Sequence, residues 1–457
     1  MAIKKNVFSR DKNTIRSISI PSDKNVCIHT LFAAIGLRKT VSFGDGFSED
    51  ICHDVVRILQ WIDDYNVANL YFHNHGSLRI TPNEHKLVDL TTASFSRGSM
   101  SIAGNTLLTY GVVRCLKPGG CQFNPRPIDI HLQLLVALGG SSDDGKMFYL
   151  KKDWNKTSDD FEFDCRASNG TSSVGVTINA ILSCCAFPAH IRCRLNYVAL
   201  EKSVQTVLIL ARQHRPILVN DSERTITFDQ NNGYLNDHLS LEHLAIDQTC
   251  LFTMCSLTAM FQYKLLVTNF EYDPCITEFL KTIMSVTMVD ATNLTALFDG
   301  TTSFVNNQCE RHKLICDVYP NGLPTDISPI LTALFIARNI PFELIDHVYD
   351  LRNTQCTEFG KLGYRTMING NKIVFDEINL EILKNFRADL DLYAHDIRGG
   401  VAVLLLALYH INRDTWNDDD IITIHQYEQI ERGYGSYLYR KLREFGFNIQ
   451  VIQSRTD

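Results

Sequence analysis

Blocks of apolar positions recur along the chain at a regular interval. Six segments share one pattern, in which a small, polar or charged residue precedes about twelve mostly apolar and small residues. These segments begin near residues 24, 99, 173, 247, 326 and 396, about 75 residues apart. A fixed spacing of this kind is typical of repeat architectures. The pattern therefore predicts six copies of one structural unit.

The apolar segments predict helices that are buried on every side. Their openings offer Asp or Ser as N-cap residues, and a helix that is apolar nearly all round belongs in a protein interior. The polar stretch from Ser141 to Asp160 interrupts the regular spacing of the apolar segments and predicts a surface insertion.

The stretches between the apolar segments predict strands and surface helices. Period-two alternation predicts strands at Arg16–Ile20, Asn69–His73 and Thr225–Phe228. Helical periodicity predicts amphipathic surface helices at Glu49–Asp63 and Glu431–Phe445. Each unit is then a mixture of strands with one buried and one surface helix.

Composition narrows the class of protein. Apolar residues make up 45% and charged residues 21% of 457 residues, which is ordinary for a globular protein. The net charge of −7 argues against a broad nucleic-acid-binding surface. The longest apolar run, Val401–Tyr409, is far short of the roughly 20 residues of a membrane span. The first residues lack the apolar core of a signal peptide, so we expect a cytoplasmic protein that binds neither membrane nor nucleic acid.

The fourteen cysteines do not form a metal-binding pattern. None has the Cys-x-x-Cys spacing of a zinc or redox motif. We expect most of them to be buried small apolar residues and predict no metal site.

A set of cations stands at the edges of the repeats. It comprises Lys24, Arg97, Arg126, Arg352, Arg398 and Arg432. Each alone is compatible with a surface salt bridge, but together they suggest a shared anionic ligand, because guanidinium forks match carboxylate and phosphate oxygens. Cys121 lies in a Pro-Gly-Gly-Cys loop near Arg126 and is either an inert exposed thiol or a reactive one, because nearby cations favour the thiolate. Asp326 opens the fifth segment either as an N-cap or as a general base.

These residues resemble a known family. The run Pro118–His131 resembles the active-site loop of the UDP-N-acetylglucosamine enolpyruvyl transferases, which carries Pro-Gly-Gly-Cys followed by Arg-Pro-Val-Asp-Leu-His. Further matches are spread over nearly the whole chain. They are Lys24-Asn25, Arg97-Gly-Ser, Ser173-Val-Gly-Val-Thr177, Tyr319–Asp326, Asp396-Ile-Arg398 and Ile430–Tyr434, with Arg352 at the family's Asn-Arg-Phe arginine.

The resemblance implies an α/β fold of two inside-out barrel domains, built from six βαβαββ repeats with the active site in the interdomain cleft. One domain would span residues 24–245. The other would combine residues 1–23 with residues 246–457.

The resemblance also implies the chemistry, which is transfer of the enolpyruvyl group of phosphoenolpyruvate to a sugar hydroxyl without metal or organic cofactor. The six cations named above would bind phosphoenolpyruvate. Asp326 would take the proton of the acceptor hydroxyl, Cys121 would protonate C3, and Lys24 would also act in catalysis. The acceptor nucleotide would contact Asn25, Arg126, Pro127, Ile128, Asp129, Ser173, Val174, Gly175 and Asp326.

Three departures from the family pattern fall on the acceptor side. The family's diphosphate-binding lysine is Thr171 here, its tryptophan is Ser101, and the arginine of its Asp-Arg pair is Gln248. Arg166 is a candidate to replace the lost lysine.

Three functions therefore remain open at this point. The acceptor is UDP-N-acetylglucosamine, or it is UMP or a related nucleotide, as in nucleoside-antibiotic biosynthesis. In the third, the chain is a non-catalytic nucleotide-binding relative, although retention of Cys121, Asp326 and Lys24 speaks against it. Transfer to shikimate 3-phosphate is disfavoured, because that branch lacks the Pro-Gly-Gly-Cys loop.

Overall fold

A computed structural model shows two compact units. It describes residues 1–5, 14–44, 46–47, 51–73, 76–83, 88–115, 128–157, 159–167, 170–229, 235–302, 311–349, 352–376, 390–412, 416 and 420–451. The N-terminal unit contains the described residues of 22–115 and 128–245. The C-terminal unit combines Met1–Pro21 with the chain from Ile246 onward.

The described residues form thirteen α-helices. In the N-terminal unit these are α1 (Lys24–Leu37), α2 (His53–Asp64), α3 (Ala103–Tyr110), α4 (Asp129–Ala137), α5 (Val174–Ala186) and α6 (Lys202–His214). In the C-terminal unit they are α7 (Gln248–Phe261), α8 (Pro274–Ile283), α9 (Ser328–Ala337), α10 (Thr354–Lys361), α11 (Ile397–Ile411), α12 (Glu428–Tyr434) and α13 (Tyr437–Glu444). Short 3-10 helices span Arg97–Ile102, Trp154–Lys156 and Thr325–Ile327.

Twenty-three strands lie between these helices in the described part of the chain. The C-terminal unit contains β1 (Ala2–Lys4), β2 (Ile15–Ile18), β14 (Lys264–Val267), β15 (Ser285–Asp290), β16 (Thr295–Asp299), β17 (His312–Cys316), β18 (Phe342–Asp346), β19 (Met367–Asn369), β20 (Lys372–Phe375), β21 (Leu390–Tyr393), β22 (Ile421–His425) and β23 (Ile449–Gln450). The N-terminal unit contains β3 (Thr40–Phe43), β4 (Ala68–Phe72), β5 (Leu78–Pro82), β6 (Val112–Arg114), β7 (Gly140–Ser141), β8 (Met147–Leu150), β9 (Phe161–Asp164), β10 (Cys193–Asn196), β11 (Ile217–Asn220), β12 (Thr225–Phe228) and β13 (His238–Leu241). The three predicted strands correspond to β2, β4 and β12.

The predicted sixfold repeat is visible in the sheet topology. One copy runs β17-α9-β18-α10-β19-β20 and forms a sheet of order β17-β18-β20-β19. Its first two strands are parallel and the others antiparallel. The sheets β9-β10-β12-β11, β2-β14-β16-β15, β13-β3-β5-β4 and β21-β22-β1-β23 have the same order. The sixth sheet, β6-β8-β7, has three strands among the described residues.

Each unit has one hydrophobic core with the predicted apolar helices inside it. Every residue of α9 is buried, and so is every residue of α7 from Gln248 to Met260. Helices α7, α9 and α11 belong to one core cluster, and α1, α3 and α5 belong to the other. With helices inside and sheets around them, each unit is an inside-out α/β barrel.

Four of the six helix openings have an N-cap made by the predicted residue. The side chains of Asp23, Ser173, Asp247 and Asp396 accept hydrogen bonds from backbone N–H groups of the first turn. The second and fifth openings differ, because a 3-10 turn precedes each α-helix. Ser99 and Asp326 therefore lie inside a turn, and the N-cap interpretation of Asp326 is wrong.

The stretch from Ser141 to Asp160 is not a surface insertion. It contains β8, which pairs with both β6 and β7 and completes the second repeat. It also contains Trp154, which is buried and donates its indole N–H to the carbonyl of Leu138 at 2.8 Å. Some of the polar residues that suggested an insertion form the turn between β7 and β8, and others follow β8 around the short 3-10 helix Trp154–Lys156.

The predicted surface helices start and end differently from the periodic pattern. The first begins at His53, not at Glu49. The second, predicted over Glu431–Phe445, is two helices, α12 and α13. They are separated at Gly435, whose φ of 53° and ψ of −145° interrupt the helix. That conformation is accessible essentially to glycine alone.

The described part of the chain contains no helix that is both long and apolar enough to cross a membrane. Twelve cysteines are described; eleven are buried and Cys275 is half-buried. Burial raises the pKa of the Cys115 and Cys165 thiols to about 12, so they carry no thiolate at neutral pH. The expectation that most cysteines are apolar core residues is confirmed for this set.

The caps of the central helices predict a measurable stability difference. Asp247 is buried, and its carboxylate accepts the N–H of Cys250 at 2.8 Å. Asp247→Ala removes that acceptor and should lower the free energy of unfolding by about 1 kcal/mol in urea unfolding followed by circular dichroism. Asp247→Asn retains a capping oxygen and should stay near wild type; equal loss in both variants would show that the charge, not the cap, is needed.

Candidate active site

Three of the predicted site residues meet in the C-terminal unit. The Asp326 carboxylate lies 2.7 Å from Arg352 Nη2 and 3.5 Å from Arg398 Nη2. The two arginine side chains are 4% exposed, whereas that of Asp326 is 34% exposed. The Asp326 carboxylate is therefore the part of this cluster that solvent reaches most, and the two cations lie behind it.

Local structure explains why these residues converge. Asp326 lies in the 3-10 turn before α9, and Arg398 is in the first turn of α11, which packs against α9 in the core. Asp396 caps α11 through the N–H groups of Arg398 and Gly399, both at 3.0 Å. The cap holds the start of α11, and with it the backbone of Arg398.

A buried network supports Arg352. Arg352 Nη1 donates to Thr325 Oγ1 at 3.3 Å, and the Thr325 hydroxyl donates to the Asp346 carboxylate. Asp346 is buried and also accepts the N–H groups of Val348 and Tyr349. Burial raises the pKa of Asp346 above its usual value, although these hydrogen bonds oppose the rise. Burial alone would lower the pKa of Arg352, but the charges of Asp326 and Asp396 outweigh it and raise that pKa.

Arg432 and Tyr434 lie on α12 beside this cluster. Arg432 Nη1 donates to Gln429 Oε1 at 3.0 Å. The Arg398 guanidinium lies 5.2 Å from the centroid of the Tyr434 ring, within cation–π range. Gly433 allows this close approach, because a Cβ there would lie 2.3 Å from Ile397 Cγ2.

In the N-terminal unit, Lys24 and Asn25 form the first turn of α1. Lys24 Nζ lies 3.2 Å from Asp54 Oδ2 on α2, and both side chains are mostly buried, at 14% and 15% exposure. Asn25 is exposed. The Lys24 ammonium is therefore held in place by a carboxylate that the motif comparison did not identify.

A second group of polar side chains lies deeper in the same unit. His29 Nδ1 and Ser101 Oγ are 2.8 Å apart, and His131 Nδ1 lies 3.2 Å from Asn179 Nδ2. Burial, with the nearby charge of Lys24, lowers the pKa of His29 to about 4. Burial, with the charges of Arg97 and His29, lowers the pKa of His131 to about 3. Both imidazoles are neutral at pH 7.

Five of the predicted acceptor residues lie at the starts of α4 and α5. Ser173 caps α5, and Val174 and Gly175 form its first turn. A Cβ on Gly175 would lie 3.3 Å from His131 Nε2. Ile128 precedes α4, and Asp129 is its first residue. These positions present backbone N–H groups to an anion.

Arg166 lies close to this region but is engaged elsewhere. Its Nε is 3.0 Å from Asp164 Oδ2, and its guanidinium stacks 3.5 Å from the centroid of the Tyr197 ring.

Three predicted residues, Cys121, Arg126 and Pro127, lie outside the described residues. Among those described, no cluster of His, Cys, Asp or Glu side chains has the arrangement of a metal site.

Sequence and structure comparisons both find known proteins that are similar to this chain. No family model matches the chain. UDP-N-acetylglucosamine 1-carboxyvinyltransferase 1 of Streptococcus agalactiae serotype Ia is 27% identical over 361 residues, which cover 78% of each chain. The UDP-N-acetylglucosamine 1-carboxyvinyltransferase of Wolbachia pipientis subsp. Culex pipiens is 26% identical over 460 residues, covering 97% of this chain and 98% of that protein. This chain is a divergent homologue of these transferases.

The solved structures agree on the fold. The enolpyruvyl transferase NikO from Streptomyces tendae superposes with a TM-score of 0.74 at 16% identity, covering 98% of both chains. EPSP synthase from Acinetobacter baumannii superposes with a TM-score of 0.65 at 13% identity, covering 99% of both chains. The chain thus has the fold of these enolpyruvyl transferases.

Sequence reasoning on this enolpyruvyl transferase homologue missed the groups that hold the site residues in place. Asp54 lies 30 residues from Lys24 in sequence, and Asp346 is linked to Arg352 by hydrogen bonds through Thr325. His29 is one helical turn after Asn25, so its place on the same face of α1 was a usable signal. Asp54 and Asp346 carried no such signal, because their partners come from other elements.

Because the buried histidines are neutral in the folded state, we expect the free energy of unfolding to fall as the pH is lowered. The pKa of His131 is about 3 in the folded state and about 6.5 in the unfolded chain. As the pH drops below about 6.5, His131 is therefore protonated in the unfolded chain but not in the folded one, and the free energy of unfolding falls. His131→Asn keeps an amide for Asn179 but removes the titration. Between pH 7 and 4, its free energy of unfolding should fall by roughly 2–3 kcal/mol less than that of wild type.

The measurement is urea unfolding at each pH. The control is His238→Asn, since His238 is exposed and its Nε2 lies 3.1 Å from Ser42 Oγ. An unchanged pH slope in His131→Asn would contradict a buried neutral imidazole.

Proposed function

We propose that this chain transfers the enolpyruvyl group of phosphoenolpyruvate to a hydroxyl of a uridine nucleotide, with UDP-N-acetylglucosamine as the first candidate acceptor. The acceptor oxygen adds to C2 while C3 gains a proton. C3 then loses a proton and C2 loses phosphate, which leaves the enol ether and inorganic phosphate. No metal or organic cofactor is part of the proposal.

The observation that carries the proposal is the meeting of Asp326, Arg352 and Arg398. They come from three separate elements, yet one carboxylate lies against both guanidinium groups. The curated relatives named for this transfer cover most of the chain. A base next to two anion-binding cations is the arrangement that addition of a hydroxyl to an anionic enol ester requires.

The two ion pairs couple substrate binding to the base. Phosphoenolpyruvate carries a carboxylate and a phosphate, and both compete with Asp326 for the guanidinium groups. Binding thereby turns Arg352 and Arg398 towards the substrate and leaves the Asp326 carboxylate to accept the proton of the acceptor hydroxyl. Arg432 adds a third cation in the same unit.

The remaining roles follow from the resemblance. Lys24, Arg97 and Arg126 bind phosphoenolpyruvate, and Lys24 also takes part in the chemistry. Cys121 protonates C3 and can form a covalent phospholactoyl adduct. Both substrates are metabolites of the cytoplasm, and we place the protein there.

For the acceptor, Asn25 and Asp326 contact the sugar. Arg126, Pro127, Ile128 and Asp129 hold the uracil. Ser173, Val174 and Gly175 bind phosphate at the start of α5.

UMP or a related nucleotide is a second candidate acceptor. Thr171 replaces the lysine that contacts the diphosphate in the resembling family, and Arg166, its potential substitute, is paired with Asp164. Loss of a diphosphate contact without replacement favours a smaller acceptor.

The first test is phosphate release from phosphoenolpyruvate, with UDP-N-acetylglucosamine and UMP in parallel. We expect release with one uridine nucleotide and none without acceptor. Cys121→Ser should reduce turnover by about 100-fold or more, since it removes the proton donor. Fosfomycin, an epoxide that alkylates this cysteine in the family, should inactivate wild type. If phosphate is released neither with UDP-N-acetylglucosamine nor with UMP, the proposed reaction is refuted.

The second test separates substrate binding from chemistry. Asp326→Ala removes the base and also the carboxylate that competes for Arg352 and Arg398. We expect phosphoenolpyruvate to bind at least as tightly as to wild type in titration calorimetry, with phosphate release lowered by roughly 100-fold or more. The matched control is Asp376→Ala, which removes an exposed ion pair to Arg311 in the same unit. Equal loss of binding and turnover in Asp326→Ala would assign Asp326 a structural role.

A further inference from the structure

We propose that His29, oriented by Ser101, reads an uncharged hydroxyl of the acceptor and so helps to determine acceptor specificity. This inference rests on the function proposed above and names two residues to which that function gave no role.

The position of His29 places it among the residues assigned to the acceptor. It follows Asn25 by four residues on α1, so the two side chains share one face of the helix. Lys24 and His131 are close enough for charge coupling to His29, and His131 in turn couples to Arg97 and packs beside Gly175. His29 thus lies between the lysine and the start of α5.

The hydrogen bond to Ser101 orients the ring. Ser101 is buried, with 1% of its surface exposed, whereas His29 is half-buried. The bond uses Nδ1 at 2.8 Å, and no hydrogen bond joins Nε2 to any of the residues that the structure describes. Nε2 is therefore the atom that can contact a bound molecule, and the serine restricts rotation of the ring.

The charges around His29 decide what it can recognise. Lys24, with its partner Asp54, lies at the start of the same helix; Arg97 begins the 3-10 turn that carries Ser101; and His131 comes from α4. Burial and the positive charge of Lys24 keep the imidazole neutral at pH 7. Anions are therefore bound by the neighbouring cations. The neutral imidazole forms a hydrogen bond with an uncharged group instead. The sugars of both candidate acceptors offer uncharged hydroxyls, and UDP-N-acetylglucosamine also offers an acetamido group. We assign His29 to a hydroxyl because both candidates carry one.

Four variants test the inference by binding, without requiring turnover. His29→Phe retains a planar ring but no nitrogen, and His29→Gln retains a polar atom near the position of Nε2. Ser101→Ala removes only the orienting hydroxyl. The matched control is His238→Phe, because His238 forms an exposed histidine–serine pair with Ser42 in the same unit.

The measurement is titration calorimetry of UMP, UDP-N-acetylglucosamine and phosphoenolpyruvate with each variant, then of deoxy analogues of the nucleotide that wild type binds more tightly. We expect His29→Phe to lower the affinity for that nucleotide by roughly tenfold or more. Ser101→Ala should lower the affinity less, and His29→Gln should bind more tightly than His29→Phe. Phosphoenolpyruvate affinity and the His238→Phe control should not change. The deoxy analogue that lacks the contacted hydroxyl should bind to His29→Phe with the same affinity as the full nucleotide, because the variant no longer contacts that hydroxyl.

Unchanged nucleotide affinity in His29→Phe, or equal losses for nucleotide and phosphoenolpyruvate, would overturn the inference. Absence of nucleotide binding by wild type would overturn it as well. Nucleotide binding that depends on His29 without phosphate release would support the inference and refute the proposed transfer.

Discussion

The burial of helices that are apolar on every face is the constraint on which this structure depends. Such a helix has no stable position at a surface, so other elements must cover it all round. In each unit, three central helices form the core and the sheets lie outside them. Five of the six sheets have the same strand order. In each of these repeats, a helix connects two parallel strands and packs against them.

The same constraint brings polar groups together where the central helices begin. A helix start has unsatisfied N–H groups, and Asp23, Ser173, Asp247 and Asp396 satisfy them in four repeats. In the fifth repeat the chain makes a 3-10 turn instead, and Asp326 is not used as a cap. Its carboxylate pairs with Arg352 and Arg398, and this departure from the repeat is the feature from which the proposed base arises.

The two units hold their cations in different ways. Arg352 and Arg398 are nearly fully buried against carboxylates, and the Thr325–Asp346 contact supports Arg352 from behind. Among the described residues, Lys24 is paired with one carboxylate, that of Asp54, and the nearby histidines stay neutral. A cation whose partner is a partly exposed carboxylate can exchange it for a substrate anion, whereas a neutral imidazole can discriminate between uncharged groups. In the proposed function, anion binding and acceptor selection are thus assigned to chemically different groups.

The sequence by itself determined the repeat, the buried helices and most of their caps, because periodicity and N-cap chemistry are local properties. It also predicted the charged site residues, and three of them, Asp326, Arg352 and Arg398, meet in the structure. It did not determine how the second and fifth helices begin, because Ser and Asp are equally acceptable in a cap and in a 3-10 turn. Packing of Trp154 in the core and the break at Gly435 also lay beyond a polarity pattern. Only the tertiary structure decided which side chains meet. Asp54, Asp346 and Ser101 reach Lys24, Thr325 and His29 across 30, 21 and 72 residues of chain, and such contacts follow from the packing of separate elements.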